Sequence, residues 1–208
     1  MTLLHNPLPP CNVCGCMEAG TDEAGRGCLA GPVYAAAVIL PDDFSHPWLN
    51  DSKQLSEKRR MELRGVIMDS AVAWSVASVS PEEIDRMNIL NASIEAMHRA
   101  LAALDPQPGA VIVDGNRFRP YMQIPWQTFV KGDGRFANIA AASVLAKTER
   151  DIYMLEMHKH YPCYHWDKNK GYPTADHRAA IAKNGPCPLH RKTFKLLPHP
   201  SLFDDLGF

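Results

Sequence analysis

No stretch of the chain reaches the roughly 18 to 20 apolar residues that a membrane-spanning helix needs, so no membrane partner is expected. The opening "MTLLHNPLPPCNVCGC" has neither the basic start nor the apolar middle of a secretory signal, and the expectation is a soluble, cytoplasmic protein. Positive charge is not in excess either: the formal net charge is -1, so composition alone does not announce a nucleic-acid binder. Its distribution says more. Residues 1–139 carry 12 Lys+Arg against 16 Asp+Glu, and residues 140–208 carry 10 against 7. An acidic first part followed by a mildly basic second part is compatible with metal in one region and phosphate in another.

Cysteine is sparse and badly placed for structure. Of six cysteines, Cys11, Cys14 and Cys16 sit in "CNVCGC", where C-x-x-C could supply two zinc ligands or a redox pair. Neither a second C-x-x-C nor an H-x-x-x-H follows to complete four ligands. The preceding "NPLPP" favours a flexible, solvated tail, and a disulfide has no export signal to support it. The nine histidines form no ligand-spaced set; His158 and His160 point apart on a helix, and His177 reads as structural. There is no internal repeat and no low-complexity segment. With 208 residues, 46% hydrophobic and 22% charged, the chain has room for one substantial core.

What is present is a run of strand and helix signals. "EAGTD" and "PVYAAAVIL" read as strands around a glycine loop, the second apolar enough to be covered on both faces. "SEKRRMELRGVIMDS" reads as a helix capped by Ser56, with Met61, Val66, Ile67 and Met68 as its apolar positions and Lys58, Arg59 and Arg60 solvated. "AVAWSVASVS" reads as a third strand through Val72, Trp74, Val76 and Val79. Ser80, Pro81 and Glu83 compose a capping box with proline at the first helical position. Ile89, Leu90, Ile94, Met97, Leu101 and Leu104 then recur at helical spacing. "AVIVDG" and "IPWQTFVKGDG" read as strands ending at Asp114 and near Asp133. Helices are expected over about 135–160 and 174–184, the latter stopped by Gly185. The pattern implies a mixed sheet flanked by helices.

Four carboxylates stand at predicted strand ends or edges beside glycine: Asp22 and Glu23 in "GTDEAG", Asp114 in "VIVDGN" and Asp133 in "FVKGDG". Singly, Asp before Gly is turn chemistry. Converging in one sheet, they form a costly buried negative cluster unless a cation compensates it. Hard oxygen donors suit Mg2+ or Mn2+, and one or two such ions can drive phosphodiester hydrolysis. "GRGCLAG" also contains G-x-G-x-x-A from Gly25 to Ala30, but a dinucleotide fingerprint opens a helix. Here Pro32 and "VYAAAVIL" follow, and Asp42 and Asp43 lie in a loop, so an oxidoreductase reading is poorly supported. Strand, glycine turn and strand instead suggest backbone N–H groups brought close to a polar ligand.

The segments "GTDEAGRGCLAGPVYAAAVILP", "LNDSKQLSEKRR", "VDGNRF", "KGDGRFANIAAASVLAKTERD" and "WDKNKGYPTADHRAAIAKNGPCPLHRKTF", in that order over about residues 18–195, resemble ribonuclease HII, the bacterial type-2 ribonuclease H family. The resemblance implies an α/β ribonuclease H-like fold: a mixed five-stranded sheet flanked by helices, with a helical C-terminal extension. Residues 1–17, outside the family pattern, are read as an N-terminal tail, 18–195 as the catalytic domain with its helical C-terminal extension and 196–208 as a C-terminal tail, and a monomer is expected. The implied activity is cleavage of the RNA strand of RNA–DNA hybrids and nicking 5' to single ribonucleotides in duplex DNA, leaving 3'-hydroxyl and 5'-phosphate ends. Asp22, Glu23, Asp114 and Asp133 fall on the family's metal-binding positions. Gly25, Arg26 and Gly27 fall on the turn that contacts the 2'-hydroxyl, the local feature separating RNA from DNA. Tyr172 matches the tyrosine that packs on the sugar at the RNA–DNA junction. Lys53 resembles a phosphate contact, and Ser143 and Lys147, one helical turn apart, are placed to face the backbone. Thr21 departs from the aliphatic residue or cysteine expected before the acidic pair, as a small β-branched residue that still suits a strand. A non-catalytic hybrid-binding protein of the same fold is the alternative, against which the presence of all four carboxylates argues. Ser201-Leu202-Phe203 matches the second half of the Q-L-S/D-L-F peptide that binds the sliding clamp. It lacks the glutamine, which favours a tail docked on its own domain.

Overall fold

The computed structural model describes Leu8, residues 16–49 and residues 55–197. Lys53, Cys11, Cys14 and Ser201-Phe203 therefore lie outside the described residues. Five strands form one sheet: β1 (Glu18–Ala24), β2 (Val33–Ile39), β3 (Ala73–Val79), β4 (Ala110–Asp114) and β5 (Trp126–Phe129), in the spatial order β3-β2-β1-β4-β5. β1, β2 and β3 pair antiparallel, whereas β4 lies parallel to β1 and β5 parallel to β4. The register sets Asp22 opposite Ala36, Glu23 opposite Ala35, and Thr21 beside Val113, one residue before Asp114.

The described residues also form six α-helices, α1 (Glu57–Ser70), α2 (Pro81–Met87), α3 (Ile89–Ala102), α4 (Ala137–His160), α5 (Trp166–Asn169) and α6 (Ala175–Asn184), of which α1, α3 and α4 pack against the sheet. Because strand side chains alternate between faces, β2 feeds two cores. Val33, Ala35, Ala37 and Ile39 pack with Ala96, Met97 and Leu101 of α3. Ala36 and Val38 pack with Leu63 and Ile67 of α1 and with Ala140, Ala141 and Leu145 of α4. A third cluster unites Leu29 and Ala30 of the glycine loop with Met154, Tyr164, Trp166 and Ile181. The C-terminal extension is thus packed directly against the loop that follows β1. Among the described residues no helix is long and apolar enough to cross a membrane.

Two polar ties fix α4 on the sheet. Buried Asn138 donates to the Glu18 carbonyl at 2.7 Å and accepts from the Leu40 amide at 2.9 Å. Next to it, β1 has Gly20, where a Cβ would stand 2.3 Å from the Asn138 carbonyl carbon; only glycine permits this helix–strand approach. Thr21 donates its hydroxyl to the Ala36 carbonyl at 2.7 Å, so the residue that departs from the expected aliphatic has a partner for its buried oxygen.

The capping box at Ser80 and Glu83 forms as expected, as does the Ser56 cap. Elsewhere the structure corrects the pattern. On α1 the buried residues are Leu63 and Ile67, while Met61 and Val66 are exposed. The helix touches the core through a narrow stripe that a count of apolar residues does not reveal. On β3 the inward set is Ala73, Ser75 and Val79, and Trp74 and Val72 are exposed, because this edge strand offers its larger side chains to its less covered face. β5 stops at Phe129; Lys131 enters the left-handed region at φ 56°, and Asp133 stands in a short 3-10 turn over Gly132–Gly134. The first long-helix residue is Ala137 rather than 135.

Candidate active site

Asp22 and Glu23 lie inside β1, Asp114 is the last residue of β4, and Asp133 follows β5 by four positions. Asp22 and Asp133 are buried. Parallel pairing of β1 with β4 brings the first three acids to one end of the central strands. The turn bearing Asp133 is tied to them, since the Gly132 amide donates to Asp114 Oδ1 at 2.7 Å.

The electrostatics record that convergence. Burial first, then the charges of Glu23 and Asp114, push the Asp22 carboxyl well above the usual carboxylate range. A side-chain hydrogen bond from Ser143 pulls it the other way. Asp22 Oδ1 also accepts from the Glu23 amide at 2.7 Å. Burial raises Glu23 as well, opposed by the Arg26 guanidinium, whose Nη1 lies 3.1 Å from Glu23 Oε1. Among the described residues no three His, Cys, Asp or Glu side chains already enclose a point as metal ligands. The donor chemistry nevertheless fits an ion of the Mg2+ or Mn2+ kind, because hard carboxylate oxygens are gathered at one end of the central strands.

Next to the acids is a cavity of about 280 Å3 lined by Glu23, Gly25, Arg60, Ser143, Lys147 and Tyr172, among others. Five of these residues are candidates on sequence grounds. Arg60 is not: in a helix's first turn its charge reads as solvated, and only the packing of α1 beside α4 aims it here. Ser143 reaches Asp22, so it serves an acid rather than pointing freely to solvent. Lys147 pairs with Asp151 and also stands 5.5 Å from the centre of the Tyr172 ring.

The glycine turn is closed by the Cys28 amide donating to the Gly25 carbonyl at 3.3 Å. Gly25 has φ +95°, and a Cβ there would meet Arg150 Nε at 2.0 Å, so both conformation and space demand glycine. Gly27 has nothing within 4 Å of an added Cβ and faces open space, as does exposed Arg26. The amides of Leu29 and Gly31 are engaged by the carbonyls of Gly171 and Leu189, which narrows the surface available to a ligand to the Gly25–Gly27 end.

Two fully buried arginines hold this loop. Arg150 donates to the carbonyls of Pro32, Ala30 and Lys170 at 3.1, 2.9 and 2.8 Å. Arg191 donates twice to Gly31 and once to Arg26 at 2.9 to 3.0 Å. Arg150 therefore fastens the glycine loop to the segment carrying Tyr172, and its guanidinium carbon lies 5.7 Å from that ring's centre. The Tyr172 hydroxyl is hydrogen-bonded to the Cys28 thiol, and burial pushes both groups up. Neither arginine carries a local sequence signal; each reads as an ordinary charge in a helix or loop.

Comparison with known proteins agrees with this geometry. The family model described as Ribonuclease HII matches residues 19–197. A Ribonuclease HII of Bacteroides fragilis is 64% identical over 181 residues, covering 87% of this chain and 90% of that protein. Among solved structures, the PCNA:RNase HII complex from Archaeoglobus fulgidus matches with a TM-score of 0.73 and 28% identity, over 90% of this chain and 99% of that one. Bst-RNase HIII in complex with Mn2+ matches at TM-score 0.66 and 18% identity, over 86% of this chain and 67% of that one, and shares the fold. With its mixed five-stranded sheet and this degree of likeness, the chain belongs to the ribonuclease HII family and is a hydrolytic endonuclease with ribonuclease H activity on RNA–DNA hybrids.

Proposed function

We propose that this endonuclease nicks duplex DNA on the 5' side of a single embedded ribonucleotide, leaving 3'-hydroxyl and 5'-phosphate ends. The observation that carries the reading is the shared cavity: Glu23 of the acidic cluster, Gly25 of the glycine turn and Tyr172 line the same space. A group that selects a sugar and a group that serves an adjacent phosphate are thereby within one nucleotide's reach.

Asp22, Glu23, Asp114 and Asp133 would hold one or two Mg2+ or Mn2+ ions. Bound there, such an ion supplies the charge that activates water and steadies a leaving oxygen. The chain's own groups do the rest. Ser143 orients the Asp22 carboxylate through its hydroxyl. The Gly25-Arg26-Gly27 backbone offers N–H and carbonyl groups to a 2'-hydroxyl, which both donates and accepts. Arg26 is held by Glu23, so sugar recognition and the acidic cluster are mechanically joined. Tyr172 presents a half-exposed ring to the sugar at the junction, flanked by Lys147 and Arg150, while Lys147 and Arg60 add positive charge for the phosphate backbone. Lys53, outside the described residues, is proposed as a further phosphate contact.

End mapping tests the reading. A duplex with one internal ribonucleotide, labelled at the 5' end of the modified strand, should yield a product one nucleotide short of the ribonucleotide that a polymerase extends without treatment. A product carrying the ribonucleotide at its 3' end would remove the assignment. As to partners, a relative solved with PCNA supports testing the Ser201-Phe203 segment as a sliding-clamp contact. Saturable binding of the tail peptide to a clamp supports it, and none removes it.

A further inference from the structure

Beneath Tyr172 lies a chain of hydrogen bonds whose direction is fixed at both ends. The backbone amide of Cys187, which can only donate, bonds to His190 Nδ1 at 3.0 Å. That nitrogen is therefore bare, and a neutral His190 carries its proton on Nε2. His190 Nε2 stands 3.2 Å from His177 Nε2. The indole N–H of Trp166, again only a donor, reaches the same His177 Nε2 at 3.1 Å, so this nitrogen too is an acceptor. His177 must then carry its proton on Nδ1, which lies 2.9 Å from the carbonyl oxygen of Tyr172, a group that can only accept. One neutral arrangement is consistent with every contact: Cys187 donates to His190, His190 and Trp166 share the single lone pair of His177 Nε2, and His177 donates to Tyr172.

Neither ring can take a second proton without facing a donor with a donor. Protonated at Nδ1, His190 would oppose the Cys187 amide; protonated at Nε2, His177 would oppose Trp166 and His190. Both imidazoles are essentially inaccessible, at 0% and 1% exposure. The groups around them offer no compensation for a positive charge: Tyr164 and Trp166 pack edge-on or tilted against the pair, Cys187 adjoins His190, and Arg178 beside His177 adds repulsion. Burial accordingly holds both rings below the usual imidazole range.

We propose that His177 and His190 are positioning residues for substrate selection: a neutral, single-tautomer relay that fixes the backbone of Tyr172 and thereby the place of its ring at the cavity mouth. The remaining bonds agree. The Tyr172 carbonyl also accepts from the Thr174 amide, and its own amide donates to Asn169, both at 2.8 Å. Thr174 in turn caps α6 by accepting from the His177 amide at 3.2 Å. The relay thus closes a small cage around one residue, and this inference rests on the role proposed for Tyr172 above.

Two measurements on the full chain test it separately. Long-range 15N–1H NMR of the histidine rings should show His177 protonated at Nδ1 and His190 at Nε2, unchanged from pH 8 to 6. The opposite tautomer at either ring, or a charged ring in that range, overturns the relay. The second measurement is the ratio of kcat/KM on a single-ribonucleotide duplex to that on a continuous RNA–DNA hybrid. His190→Phe keeps an aromatic ring but removes the relay, and should lower this ratio about tenfold. His190→Gln, able to accept from Cys187 and donate to His177, should restore most of it. An unchanged ratio in a folded His190→Phe protein, or no rescue by Gln, overturns the positioning role. If His190→Phe does not fold, the Gln variant and the ring tautomers decide. Tyr172→Ala with an unchanged ratio would instead remove the reading of Tyr172, whatever the tautomers show.

Discussion

Arg150 occupies the space that a side chain on Gly25 would need: a Cβ there would lie 2.0 Å from the arginine's Nε, and Arg150 is held by three carbonyls. The glycine turn and the buried guanidinium are therefore one unit. Gly25→Ala should destabilise the protein by about 2 to 4 kcal/mol, from the φ of +95° and the overlap together. It should also displace the turn and lower kcat/KM at least tenfold. Urea denaturation and single-ribonucleotide cleavage check both; wild-type values for either would show that Arg150 yields easily.

Asp114→Asn should cut turnover by about two orders of magnitude or more while leaving substrate affinity within about threefold. Because Asp114 is one of the charges raising Asp22, the same substitution should stabilise the metal-free protein. An Asn oxygen can still accept from Gly132. Melting in EDTA and binding by anisotropy are the measurements, and unchanged turnover would take Asp114 out of the site.

Acid should destabilise the C-terminal extension through its histidines. Folding lowers the His190 pKa from 6.5 to about 4, so between those values the unfolded chain binds the proton that the folded chain refuses. Stability from this ring is full above pH 6.5 and is lost as pH falls toward 4, by up to about 3 kcal/mol. His177 acts in the same direction. Urea midpoints from pH 7 to 4.5 should fall more steeply for the wild type than for His190→Phe; parallel curves would contradict the assignment.

Tyr172→Ala should weaken selection of a lone ribonucleotide far more than it harms folding, because the ring is 37% exposed and its backbone is held independently. Competition between a one-ribonucleotide duplex and a continuous hybrid measures this, and intact selection would clear Tyr172 of the role.

The placement of the acids was legible because the local pattern marks it: an apolar strand ends in Asp114 before glycine, and another carries Asp22 and Glu23 into a glycine turn. The sheet and its flanking helices followed from the same alternation. What escaped was long-range. Arg150 and Arg191 are single charges that reach glycine-loop carbonyls about 120 and 160 residues away, and His177 and His190 join only because α6 folds back against Trp166. Arg60 failed differently, since a helix-start arginine reads as solvated until α1 is docked. Met61 and Val66 are apolar positions of α1 but exposed, because the helix meets the sheet through Leu63 and Ile67.

The central claim is that metal chemistry at the acids and sugar selection at the glycine turn act on one bond. It is tested most directly by incubating a duplex that carries a single ribonucleotide with the protein in Mg2+ or Mn2+, then with excess EDTA. The prediction is one nick on the 5' side of the ribonucleotide, abolished by EDTA and restored by added metal. A nick that persists in EDTA, or none beside the ribonucleotide in either metal, would contradict it.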